Sequence, residues 1–193
     1  MLRNLSTKKK LFLFPVLFVL IVVVSAFIYK YYSNLANTRN HVAITTDEFI
    51  QDLLKGRISI YQFLRNPNEE NKKIVLSNFE ELDHNVMELK KKLVTEKNRN
   101  LSDEILSFSK EYINDFKNLS EKRIADINDD VIIESNEMKS KISEMAKTGL
   151  KLEDKIIEIN KSAVVLRDEA FSLLDNTLTI LAFIVQQAKC FIP

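Results

Sequence analysis

The run from Leu11 to Tyr29 reads LFLFPVLFVLIVVVSAFIY and carries no charged residue. Wound as a helix at about 1.5 Å per residue, it spans roughly 28 Å, close to the hydrocarbon thickness of a bilayer. A helix of that length in water shows a polar face, and this run offers none, so lipid is its natural solvent. Pro15 falls in the first turns of the span, where a missing N–H does least harm. Arg3, Lys8, Lys9 and Lys10 precede the run, and the nearest cations after it are Lys30 and Arg39. Positive charge gathers on the cytoplasmic side, so residues 1–10 are placed in the cytoplasm, 11–29 in the inner membrane and the bulk of the chain in the periplasm. Tyr29, Tyr31 and Tyr32 suit the outer interface, where a ring with a polar tip is comfortable.

A cleaved secretory signal is the competing reading, with Val24-Ser25-Ala26 as the cleavage site. The apolar run is longer than a usual signal core, and a helical pattern resumes soon after it, which favours an uncleaved anchor. Cys190 is the only cysteine. That leaves no acceptor for a lipoprotein anchor next to the run, no intramolecular disulfide and no thiol metal site.

The length of 193 residues suits one anchored domain of about 150 residues. Two glycines, three prolines and no tryptophan leave few breaks for a sheet protein, while the Leu, Ile, Lys and Glu content suits long amphipathic helices. The net charge is +1, with acids and bases interspersed, so nucleic acid is excluded as a partner for want of a basic face. The basic cluster at the membrane serves topology and lipid headgroups.

From Ser33 to about Asn66 the pattern is helical, with Val42, Phe49, Leu53, Ile60 and Leu64 in threes, fours and sevens and Gly56 as a mild interruption. Nothing between Tyr29 and Arg39 breaks it, so the span and this helix read as one rod. Asn66-Pro67-Asn68 is a stop. A second helix begins near Pro67 or Asn68, and its stripe of Val75, Phe79, Leu82, Val86, Leu89 and Leu93 follows the heptad spacing of nearly parallel helices. The pattern fades over the polar residues 95–100. Ser102, followed by Asp103 and Glu104, caps a third helix with a stripe of Leu101, Ile105, Phe108, Tyr112, Phe116 and Leu119. Asn128-Asp129-Asp130 ends or kinks it.

The last segment holds the same spacing from Met138 through Ile142, Met145, Gly149 and Leu152 to Ile180 and Ile184. A seam of that length implies one long helix in a bundle. Gly149 is either a break or a close helix–helix contact, and continuity is the preferred reading. The fold class is therefore all-α: a membrane-spanning helix that continues into an up-and-down antiparallel helical bundle over 30–177. Residues 178–193 are apolar for too short a stretch to cross a bilayer, and Arg167, Asp168, Glu169 and Asp175 forbid an earlier span. They read as an incomplete second membrane segment or a frayed tail.

One membrane helix followed by an up-and-down bundle resembles the front end of a bacterial methyl-accepting chemotaxis protein of the helical-bundle type, four-helix or bimodular. The residues that carry the likeness are GRISIYQFLRNPNEEN at 56–71, FEELDHNVMELKKKL at 79–93, ILSFSKEYINDF at 105–116 and MAKTGLKLEDKI at 145–156. The resemblance implies a sensing region and a homodimer, and the want of any catalytic motif leaves no enzymatic activity expected. Such receptors continue into a second membrane helix, a HAMP domain and a cytoplasmic hairpin, which this sequence lacks, so either a truncated receptor or fragment, or an output supplied by another chain, is expected. The sensor of a membrane histidine kinase shares this architecture. A single-pass coiled-coil tether in the envelope is the alternative of a different class.

If the resemblance holds, a small anionic ligand binds at a bundle or dimer interface. Arg57 and Arg65 lie two helical turns apart on roughly one face, and Arg57 borders the seam four residues after Leu53. A guanidinium there takes a carboxylate bidentately, and Tyr61 and Gln62 add hydrogen bonds. Against these, a solvated helix face is the plain reading. No phosphate loop, G-x-S-x-G or H-E-x-x-H is present. Glu81 and His84 match the Glu-x-x-His spacing of di-iron bundles, but such sites need a second pair and two more glutamates. Glu81 and His84 therefore read as a surface pair, and no metal or other cofactor is expected.

Overall fold

The computed structural model describes residues 7–129 and 135–190, and their side chains from residue 15 onward except at 185 and 188–190. Arg3, Asp130 and the last three residues of the tail, on which parts of the sequence reading fell, lie outside this set. Helix accounts for 94% of the chain described, and no strand occurs among those residues, so the fold is all-α as the periodicity requires. The four helices are α1 (Thr7–Arg65), α2 (Glu69–Lys90), α3 (Glu96–Asn128) and α4 (Asn136–Cys190).

The sequence boundaries hold at the ends of α1, α2 and α3 and fail at two starts. α1 is continuous in secondary structure through the apolar run and the outer helix. It already begins at Thr7, so Pro15 sits inside the helix rather than in its first turn. Asn68 caps α2, its side chain accepting from the Asn71 N–H at 2.8 Å. α3 begins earlier than expected. Thr95 caps it, accepting from the Asn98 N–H at 3.3 Å, and Ser102 is a buried residue within it whose hydroxyl donates to the Asn98 carbonyl. The apolar pattern fades over the polar residues 95–100, but Glu, Lys and Arg are good helix formers and build the opening turns of α3.

The chain divides into two compact units, one formed by Met1–His41 with Val165–Pro193, the other by Val42–Val164. The cuts fall inside α1 and α4, so each of these helices contributes to both units.

The second unit is a four-helix bundle. Its ion pairs fix the directions. Lys72 meets Glu121 while Lys90 meets Asp103, and Lys122 meets Glu137 while Lys155 meets Glu104. As one number rises its partner's falls, so α3 runs antiparallel to both α2 and α4. Asn160 with Thr46, and Glu153 with Arg57, show the same for α4 and α1. The predicted stripes form the core: Phe49, Leu53, Phe79, Leu82, Ile105 and Phe116 are all buried. Leu64 and Phe108 pack at its margin. Phe63, absent from the sequence stripe, is fully buried and meets Phe116 edge-on at 5.1 Å between ring centres. The turn after α2 is held by Arg99, whose Nε donates to the Leu93 carbonyl at 3.0 Å.

The first unit contains the start of α1 and the end of α4. Arg39 joins them: its Nη1 donates to the Leu166 carbonyl at 3.0 Å and lies 3.9 Å from Glu169. Ala36 and Ala170 are completely buried there. Most of the large apolar side chains in this unit are exposed, including Val19, Leu20, Phe27, Ile180 and Phe183. Among the described residues, one helix is long and apolar enough to cross a membrane, and it is α1. The segment from residue 178, read as an incomplete second membrane segment or a frayed tail, is helical to Cys190.

Candidate functional site

Both glycines of the chain lie in the bundle, and each faces an aromatic ring. A Cβ built on Gly56 would stand 2.7 Å from Cε2 of Phe79, and one on Gly149 would stand 3.0 Å from Cε2 of Tyr112. The two rings touch each other, with centres 5.1 Å apart and planes tilted by 56°. Gly56, Phe79, Tyr112 and Gly149 thus form one layer with a member from every helix. α4 is continuous through Gly149, and the close contact that the sequence left open is the approach of the Tyr112 ring.

Arg57 closes this layer between its two ends. Its Nη2 donates to the Gly149 carbonyl at 2.9 Å, and its Nη1 donates to Glu153 Oε2 at 2.7 Å. The i−4 carbonyl on a helix is ordinarily occupied by the N–H one turn on, so the guanidinium adds a second donor to that oxygen. Beside it opens a cleft of about 260 Å³ between α1, α3 and α4. Arg57 and Tyr61 line it together with Ile60, Leu64, Ile142 and Met145, and Tyr112 and Gly149 complete the wall. Burial of Tyr112 pushes its phenol up to about 12, while the Arg57 charge works the other way. Tyr112 therefore stays neutral near physiological pH and can donate a hydrogen bond.

Of the four residues picked from sequence, the fold brings Arg57 and Tyr61 together in this cleft, and Gln62 and Arg65 are exposed and do not line it. Helical geometry gives the reason. Four residues take Arg57 to Tyr61 on nearly the same face, whereas eight residues carry Arg65 about 80° around. Within the chain Arg57 divides its two terminal nitrogens between Glu153 and a backbone carbonyl. Tyr112, Gly149 and Glu153 were not singled out for this site. The usable signal was that Gly149 and Glu153 share a helix face four residues apart, on the helix antiparallel to Arg57.

Glu81 and His84 are both exposed on α2. No group of three His, Cys, Asp or Glu side chains that could hold a metal occurs among the described residues. A different polar spot lies between α2 and α3. Asp83 is half-buried, burial raises its carboxyl above the usual range, and Ser109 and Lys110 oppose that rise. Comparison with protein-family models, with curated proteins and with solved structures returns no match.

Proposed function

We propose that the chain is a membrane-anchored, extracytoplasmic ligand-sensing module of a chemoreceptor-like signal transducer. The observation that carries this reading is the Arg57 cleft, which is lined by α1 and α4, the two helices that also supply the apolar unit. A cation set among apolar walls is a recognition feature, and a bundle held by side-chain packing has discrete alternative arrangements for a ligand to select. The basic residues ahead of the apolar run support a cytoplasmic N-terminus in the inner membrane and a periplasmic bundle. The reading includes a homodimer, which would cover apolar side chains of α4 such as Leu173 and Ile180 that stand exposed. No catalytic step belongs to it.

Site-directed crosslinking tests the reading. With Cys190 replaced by serine, cysteines at Thr46 and Asn160, hydrogen-bonded neighbours on α1 and α4, report how those helices pack. A small molecule that raises the melting temperature of the bundle should also change the crosslinking rate. A rate that stays constant for every stabilising molecule overturns the reading.

A coiled-coil tether is the second reading, favoured by the exposed α4 seam in the first unit. It predicts that no small molecule stabilises the bundle.

A further inference from the structure

We infer that Glu153 is an internal stand-in for the ligand, and that the cleft binds a small monocarboxylate with an apolar body, which takes Glu153's place on Arg57. The inference rests on the sensing reading and specifies its ligand and its switch.

Among the described residues Arg57 is the one cation lining the cleft, and Ile60, Leu64, Ile142 and Met145 make the rest of the wall largely apolar. A cationic ligand would meet the guanidinium with like charge. A dianion would find a single cation with the Glu153 carboxylate beside it. One carboxylate on an apolar body satisfies both kinds of surface. The volume of about 260 Å³ lies below the range of about 300–1,000 Å³ usual for drug-sized ligands, which restricts the occupant to a small acid.

The Glu153 contact is built to be exchanged. It uses a single nitrogen and a single oxygen, at 2.7 Å, and the two side chains remain 23% and 36% exposed. Pairs of that kind contribute little net free energy, because water competes for both charges. A ligand carboxylate free to present both oxygens to the guanidinium makes the stronger, two-pronged contact. Two of the five N–H groups of Arg57 are used by Glu153 and Gly149, which leaves three for water or a ligand. Since Arg57 belongs to α1 and Glu153 to α4, the exchange removes a direct tie between those helices. Ligand occupancy and helix–helix attachment become one equilibrium.

The test is calorimetric titration of the full chain in lipid nanodiscs with benzoate, with benzamide as the uncharged control. Glu153→Gln removes the competing charge and should tighten benzoate binding roughly fivefold, the worth of a partly exposed ion pair. Benzamide should gain nothing, and Arg57→Ala should abolish benzoate binding in both backgrounds. Glu153→Ala serves as a second variant should the glutamine variant fail to melt cooperatively. Equal benzoate affinity in wild type and the Glu153 variants overturns the stand-in role. Absence of benzoate and 4-methylpentanoate binding to all of these proteins overturns the ligand class. Neither result touches the crosslinking test, by which the sensing reading stands or falls separately.

Discussion

The two ends of α4 carry the same apolar spacing and meet opposite fates. From Met138 to Ala163 the seam is largely buried in the bundle core. From Leu173 onward its positions are largely exposed, and Leu173 and Ile180 stand 44% and 60% accessible. α1 repeats the contrast, with Phe49, Leu53 and Ile60 in the core and Val19 and Phe27 in the open. Spacing therefore says which face of a helix is apolar and leaves open what covers it. In the bundle the cover is the rest of the chain. In the other unit the described chain leaves the apolar face largely uncovered, and the α1 run there is long and apolar enough for a membrane to cover it.

Substitutions can break or sharpen that contrast. The largest effect is expected from Phe79→Ala, which empties a fully buried position in the bundle. It should lower unfolding stability by about 3–5 kcal/mol, whereas Phe27→Ala should change it by less than about 0.5 kcal/mol. Similar losses for both, followed by far-UV circular dichroism in detergent, would erase the distinction between the units. Next comes Val19→Arg, a charge in the middle of the apolar run. Its insertion penalty of about 2.5–3.5 kcal/mol should release protein into alkaline carbonate washes and leave the melting of the bundle unchanged. Release of wild type under the same wash would remove lipid as the cover.

A smaller effect is expected at the glycines. Alanine improves intrinsic helicity by about 1 kcal/mol, but at Gly56 its Cβ collides with the buried Phe79 ring, and a net loss of about 1–2 kcal/mol should remain. Gly149→Ala should cost less, because Tyr112 needs to give way by only a few tenths of an ångström. The reverse ranking in chemical denaturation would show that the Phe79 ring can move aside.

The smallest effect concerns a place where burial opposes folding. Desolvation raises the Asp83 carboxyl in the folded protein above its unfolded value. The penalty is therefore fully present above the folded value and fades as pH falls through it toward the unfolded value. Asp83→Asn should stabilise the bundle at neutral pH, with the gain shrinking as pH falls toward 4. A gain independent of pH would trace to packing instead of charge.

Much of the fold was legible because its causes are local. Asn66-Pro67-Asn68 ends α1 by backbone sterics, and the stripe from Val75 to Leu93 is buried residue for residue. Less was legible where two segments act together. The polar start of α3 carries no apolar repeat, so periodicity places its cap at Ser102 instead of Thr95. Arg57 could be seen to border a seam, but its partners Gly149 and Glu153 lie 92 and 96 residues away. In the sequence Gly56 reads as a mild interruption and Gly149 as a break or a close contact with no partner named. Only the packed bundle shows that each makes room for a ring from another helix.

That arrangement of rings on bare backbone limits how the helices can move. If α1 slid by one turn past Phe79, Asp52 or Ile60 would come under a ring that now lies on glycine. α4 is constrained by Tyr112 in the same way, with Met145 and Glu153 as the neighbours one turn off. The layer works as a detent that fixes axial register. A slide of a full turn along either axis would set a larger side chain against each ring, so the layer opposes a shift of that size.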